Sequence, residues 1–158
     1  MKIAHVAVLM LAALLTSPAA AQGKPPADSM QVLREKLMSD KKQVVASSMS
    51  LTDAEAKGFW PVYEDYQKEL QKINERTAMM VVSYARDYNA SGLTNEKAKS
   101  LLDRYFAIEE SEIKLKRAFV PRLEKVLPGQ KVARYMQIEN KIRALVKYEL
   151  AAAVPLVP

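Results

Sequence analysis

The chain has no cysteine, one histidine (His5), one tryptophan and only four glycines among its 158 residues. Without cysteine it forms no disulfide, no thiolate metal site, no thiol nucleophile and no lipid-modified N-terminal cysteine. A lone histidine near the start leaves almost nothing for imidazole acid–base or metal-ligand chemistry. No phosphate-cradling glycine loop is present, so no nucleotide-driven cycle is expected. Alternating apolar–polar segments, which would mark half-buried strands, are also missing. A Ser–Lys or paired-carboxylate hydrolase needs a constellation that no spacing here singles out. These absences argue for a protein that is not an enzyme and uses no cofactor.

The residues that are present describe a foldable chain: 49% are apolar and 27% charged, with 24 Lys+Arg against 18 Asp+Glu and a net charge of +6. Lys2 is followed by ten consecutive apolar residues, Val6 to Leu15, then by Thr16, Ser17 and Pro18, and then by Ala19-Ala20-Ala21. That order is a Sec-type signal peptide over 1–21, cleaved after Ala21, and it predicts export to the periplasm. Ten apolar residues fall well short of the roughly 20 that span a bilayer. Residues 22–27, with Gly23, Pro25 and Pro26, read as a flexible lead-in, 28–152 as a helical domain and 153–158 as a C-terminal tail.

Charge is unevenly spread. From Lys114 onward there are ten Lys/Arg and only three acids, Glu124, Glu139 and Glu149. A basic region attracts anionic partners through its summed field. For an exported protein those are anionic lipid, lipopolysaccharide phosphates or acidic proteins; nucleic acid is not expected.

Helix starts are the clearest local signal. Leu51-Thr52-Asp53-Ala54-Glu55, Leu93-Thr94-Asn95-Glu96-Lys97 and Leu127-Pro128-Gly129-Gln130-Lys131 each place an apolar residue and a Thr or Pro before a helical pattern. Thr52 with Glu55 is a capping box, Thr94 is a cap, and Pro128 suits a first helical position. A first helix is expected from Asp28 or Ser29 to about Ser47. A second, from about Asp53 to Tyr88, carries Phe59, Tyr63, Tyr66, Leu70, Ile73, Thr77, Met80 and Tyr84, a 3.5-residue repeat that marks a seam between long helices. A third, from about Asn95 to Val126, has two adjacent apolar stripes. Leu101, Tyr105, Ile108, Leu115 and Phe119 form one; Leu102, Phe106, Ile113, Val120, Leu123 and Leu127 form the other. A face that wide touches two neighbours, or one neighbour and a second copy. A fourth runs from about Gly129 to Ala152. Pro61 and Pro121 predict kinks. The expected fold is all-α: an antiparallel long-helix hairpin or bundle of about four helices.

At the Leu-Thr helix starts the chain resembles the LTxxQ group of exported helical proteins, the Spy/CpxP-like family, with Glu55, Lys97 and Pro128 standing where that motif differs. The segment Phe59-Trp60-Pro61-Val62-Tyr63-Glu64-Asp65-Tyr66 is similar to one in uncharacterised secreted proteobacterial relatives. The resemblance implies a hairpin-like helical subunit, often a homodimer. Its concave face would hold unfolded clients or a sensor domain, in an ATP-independent chaperone or an accessory regulator of envelope stress.

Three functional readings follow. The first is a chaperone-like module that binds apolar segments of unfolded proteins. The second is an accessory regulator of a membrane-bound stress sensor or anti-sigma factor. The third is an envelope-surface structural protein held by anionic lipid. The expected contact residues are Trp60, which lies one position off the seam, the adjacent Met79 and Met80, and the basic Lys114, Lys116 and Arg117. Methionine adapts to varied apolar surfaces, and basic flanks add attraction. The same aromatics and methionines are also ordinary core material.

Overall fold

The computed structural model describes residues 40–158. The leader, the lead-in, the start of the first helix and the methionines Met30 and Met38 lie outside the described residues. Among the described residues every regular element is an α-helix. They are α1, described over 40–49; α2, Asp53–Asn89; α3, Asn95–Glu124; and α4, Gly129–Ala153. The described residues form two compact units. One comprises 40–50 with Arg134–Pro155, the other Leu51–Ala133 with Leu156–Pro158.

Local chemistry sets the helix ends. Thr52, in extended backbone, accepts the Glu55 amide at 3.3 Å, and the Thr52 amide donates to Glu55 Oε2 at 2.8 Å. Both halves of the expected capping box are therefore made. Thr94 accepts the Lys97 amide at 3.3 Å and caps α3. Pro128 lies one residue before α4, and its carbonyl accepts the amides of Lys131 and Val132 at 2.8 and 3.0 Å. It occupies the capping position instead of the first helical one. Both α2 and α3 continue through their internal prolines, Pro61 and Pro121.

In the larger unit α2 and α3 form an antiparallel hairpin. Along one flank Asp65, Arg76 and Ser83 climb α2 while their partners Arg122, Ser111 and Arg104 descend α3 in equal steps. Lys97 Nζ reaches Asp87 at 3.1 Å near the turn. Of the eight seam residues, Phe59, Tyr63, Tyr66, Ile73 and Tyr84 are buried and Leu70, Thr77 and Met80 half-buried; none is exposed. On α3, Ile108, Phe119 and Leu123 are buried. The Tyr66 and Phe119 rings meet edge-on at 5.3 Å, and the Arg122 guanidinium sits 4.4 Å over Phe119. Gly58 permits a close approach here: a Cβ at that position would come within 2.9 Å of the Val126 side chain. Lys131, at the start of α4, donates to Glu55 and so ties one helix start to another.

The smaller unit is held by α1 and the later part of α4. Val45, Met49 and Tyr135 are fully buried. Lys41 and Glu139 pair at 2.8 Å with the carboxylate 3% exposed. A buried carboxylate is tolerated only with such partners.

Candidate functional site

Two surfaces of the hairpin differ from an ordinary solvated helix face. The first is apolar. An α-helix turns by about 100° per residue. Leu101, Ile108 and Leu115 recur every seven residues toward α2, and the neighbouring stripe diverges from them. Leu102, Phe106 and Ile113 are 55%, 56% and 52% exposed, and Tyr105, beside Phe106 with its ring 5.6 Å away, is 45% exposed. On α2, Met79 and Val82 are also largely exposed. The other end of the same stripe is covered: Val120 is half-buried and Leu123 and Leu127 are buried. The wide face of α3 is thus filled near its C-terminus and open over its first two-thirds. Covering a large apolar side chain fully is worth about 1.5–3 kcal/mol. Leu102, Tyr105 and Phe106 lie within about one turn and Ile113 follows two turns on; together the four half-exposed side chains make a substantial reservoir of binding free energy.

The second surface is the flank bearing the polar ladder. Two shallow depressions lie between α2 and α3 on either side of Arg76. One is lined by Ile73, Leu115 and Ala118 with Lys72 and Lys114 at its rim, the other by Met79, Ala107 and Ile108 with Asp103 and Arg104. Arg76 Nη1 donates to Ser111 Oγ, and Arg104 Nη1 to Ser83 Oγ, both at 3.0 Å. Each serine sends its own proton to a helix carbonyl, Ser111 to Ala107 and Ser83 to Met80. Its lone pairs are left to the arginine. Both helices carry Arg followed by Ser seven residues later, and antiparallel packing turns that repeat into two reciprocal pairs.

The expected contact residues are distributed unevenly over these surfaces. Met79 and Lys114 line the two neighbouring depressions. Met80 is half-buried at a seam position, so it serves packing more than contact. Trp60 is half-buried and packs edge-on against Phe59 and Tyr63 at 5.0 and 5.3 Å. Lys116 is half-buried and Arg117 exposed, and neither lines a depression. Thr52, Glu55 and Thr94 act as caps. Arg76, Arg104, Ser83 and Ser111, and the open stripe Leu102–Phe106–Ile113, are the features that residue type alone did not single out.

Two carboxyls at helix starts are perturbed, and burial, followed by the neighbouring Tyr88, pushes the Tyr84 phenol above its ordinary value. The Glu55 carboxyl is held below its ordinary value, first by the Lys131 ammonium that donates to it and then by the Thr52 amide. Glu96 is lowered by its own backbone amide at the α3 N-terminus and by Thr94. Among the described residues no three His, Cys, Asp or Glu side chains gather as a metal site would require. No described helix is long and apolar enough to cross a membrane. Set against protein-family models, curated proteins and solved structures, the chain matches none.

Proposed function

We propose that this is a non-catalytic, exported helical module that binds apolar segments of other proteins without nucleotide, in the manner of a chaperone or an envelope-stress component. The observation that carries the reading is the open apolar stripe of α3, Leu102, Tyr105, Phe106 and Ile113, on a helix whose adjoining face is already packed against α2. Contiguous exposed apolar patches on folded proteins mark interaction sites. The exposed charges beside it, Lys99, Glu110 and Arg117, keep the stripe soluble and limit self-collapse. The leader-like N-terminus supports export. The lack of cysteine, with histidine only at position 5, supports a role in holding rather than bond-breaking.

Light scattering of a denatured client protein tests this. The purified protein at an equimolar ratio suppresses aggregation without ATP, and the F106S/I113S variant suppresses it by less than half as much at unchanged helicity. No suppression by the parent protein, or full suppression by the variant, would contradict the reading.

A further inference from the structure

The ladder flank of the hairpin is closed by ion pairs at both ends, Asp65 with Arg122 and Asp87 with Lys97. Its middle is built differently. Arg76 and Arg104 face serine hydroxyls where an aspartate would have neutralised them, and neither makes an ion pair among the described residues. A guanidinium has five N–H donors in a planar fork suited to a carboxylate. Each of these spends one on a neutral oxygen. The hairpin register sets the two guanidinium-bearing levels seven residues apart, about 10 Å along the axis. Between them lies an apolar floor of Met79, Ala107 and Ile108. The rim carries Lys72, Arg76, Arg104 and Lys114 against Glu69 and Asp103; Lys72 pairs with Glu69 at 2.6 Å and Lys114 with Glu110 at 3.7 Å, which leaves the two arginines against Asp103.

We infer that this flank seats an acidic helix of a partner protein, with carboxylates at positions i and i+7 reaching Arg76 and Arg104 and small or apolar residues at i+3 and i+4 on the floor. The inference rests on the reading that the protein binds protein segments, and it names the chemistry of one such segment. A helix repeats a face every seven residues, about 10 Å, and so matches the arginine spacing. An extended strand places same-face side chains about 6.5 or 13 Å apart and misses it. A lipid head group offers one anionic cluster, not two anionic points separated by an apolar stretch. The groove between two antiparallel helices is the usual seat for a third, at 8–10 Å between axes. Ala107, with its short side chain, leaves room for that approach.

The test uses the full chain and two synthetic helical peptides of about 20 residues, followed by fluorescence anisotropy. One peptide carries Glu at i and i+7 with Ala and Leu at i+3 and i+4; the other has Gln in place of each Glu. The acidic peptide is expected to bind roughly tenfold tighter or better and to weaken with added salt. In R76Q/R104Q that preference disappears. In K57Q/K125Q, which removes equal charge at exposed positions elsewhere, it remains. Equal binding of the two peptides, a preference retained in R76Q/R104Q, or the same loss in K57Q/K125Q would each overturn the inference. Vesicles containing phosphatidylglycerol serve as a further arm. Binding to them that depends on Arg76 and Arg104, with no preference between peptides, would assign the flank to a membrane surface instead. If R76Q/R104Q fails to fold, the comparison of the two peptides on the parent chain still decides. A neutral apolar client measured in the same samples separates the two proposals. Its binding through Phe106 and Ile113 persisting without an acidic preference rejects this inference alone, and loss of both rejects both.

Discussion

Ser91 adopts φ 49°, in the left-handed region, immediately after the C-terminus of α2. The Gly92 amide donates to the Asp87 carbonyl at 2.9 Å and the Ser91 amide to Tyr88 at 3.1 Å, the paired bonds of a Schellman ending. Glycine usually fills the left-handed position of that ending, but here it stands one residue later, and Gly92 has no positive φ. A Cβ at Gly92 would meet only ordinary contacts, the nearest at 3.5 Å from Lys97 Nζ. Ser91→Gly should therefore stabilise the protein by about 1 kcal/mol, while Gly92→Ala should leave stability nearly unchanged. Thermal melts of the two variants check this, and the reverse order would show that the turn is built otherwise. At this scale the sequence is legible where the chemistry is local. Thr52, Glu55 and Thr94 could be assigned from spacing because a cap involves residues three apart. Which residue between α2 and α3 carries the positive φ was not legible, because serine is not a residue type that favours the left-handed region.

At the scale of elements, the 3.5-residue seam of α2 was readable because periodicity reports which face is apolar, and all eight of its residues are at least half-buried. Contacts that depend on register were not readable. The Arg-to-Ser repeat exists in both helices, yet its reciprocal pairing appears only when Arg76 is set opposite Ser111 and Ser83 opposite Arg104. The contact between Lys131 and Glu55 spans 76 residues and was hidden for the same reason. It has a pH signature. Glu55 is lowered in the folded state from an ordinary value of 4.5. The stability it adds is full above that value and is lost as pH falls through the lower folded one. Glu55→Gln should thus be less stable than the parent at pH 7, with the gap closing below about pH 4.5. Urea titrations of both proteins between pH 7 and pH 3 measure the gap directly. A gap independent of pH would mean that the carboxylate's charge is not what joins the two helix starts.

For the molecule as a whole, sequence pattern established an all-α chain but not what covers the second stripe of α3. Amphipathicity identifies apolar faces and is silent on their partners: Leu123 and Leu127 are buried, while Leu102, Phe106 and Ile113, of the same stripe, are open. Charge behaves similarly. The basic tail was visible in composition, but two of the cations in the groove, Arg76 and Arg104, lie outside it and matter through their neutral partners. On the proposed function, apolar client segments lie on the open stripe and acidic helices on the opposite flank of α3. Site-specific photocrosslinking distinguishes this from non-specific adhesion, with a photoreactive side chain introduced at position 106 or 113, and at exposed Lys68 for comparison, in the presence of a denatured client. Abundant client adducts are expected from positions 106 and 113 and few from 68. Equal yields at all three positions, or none at 106 and 113, would rule out client binding on the stripe.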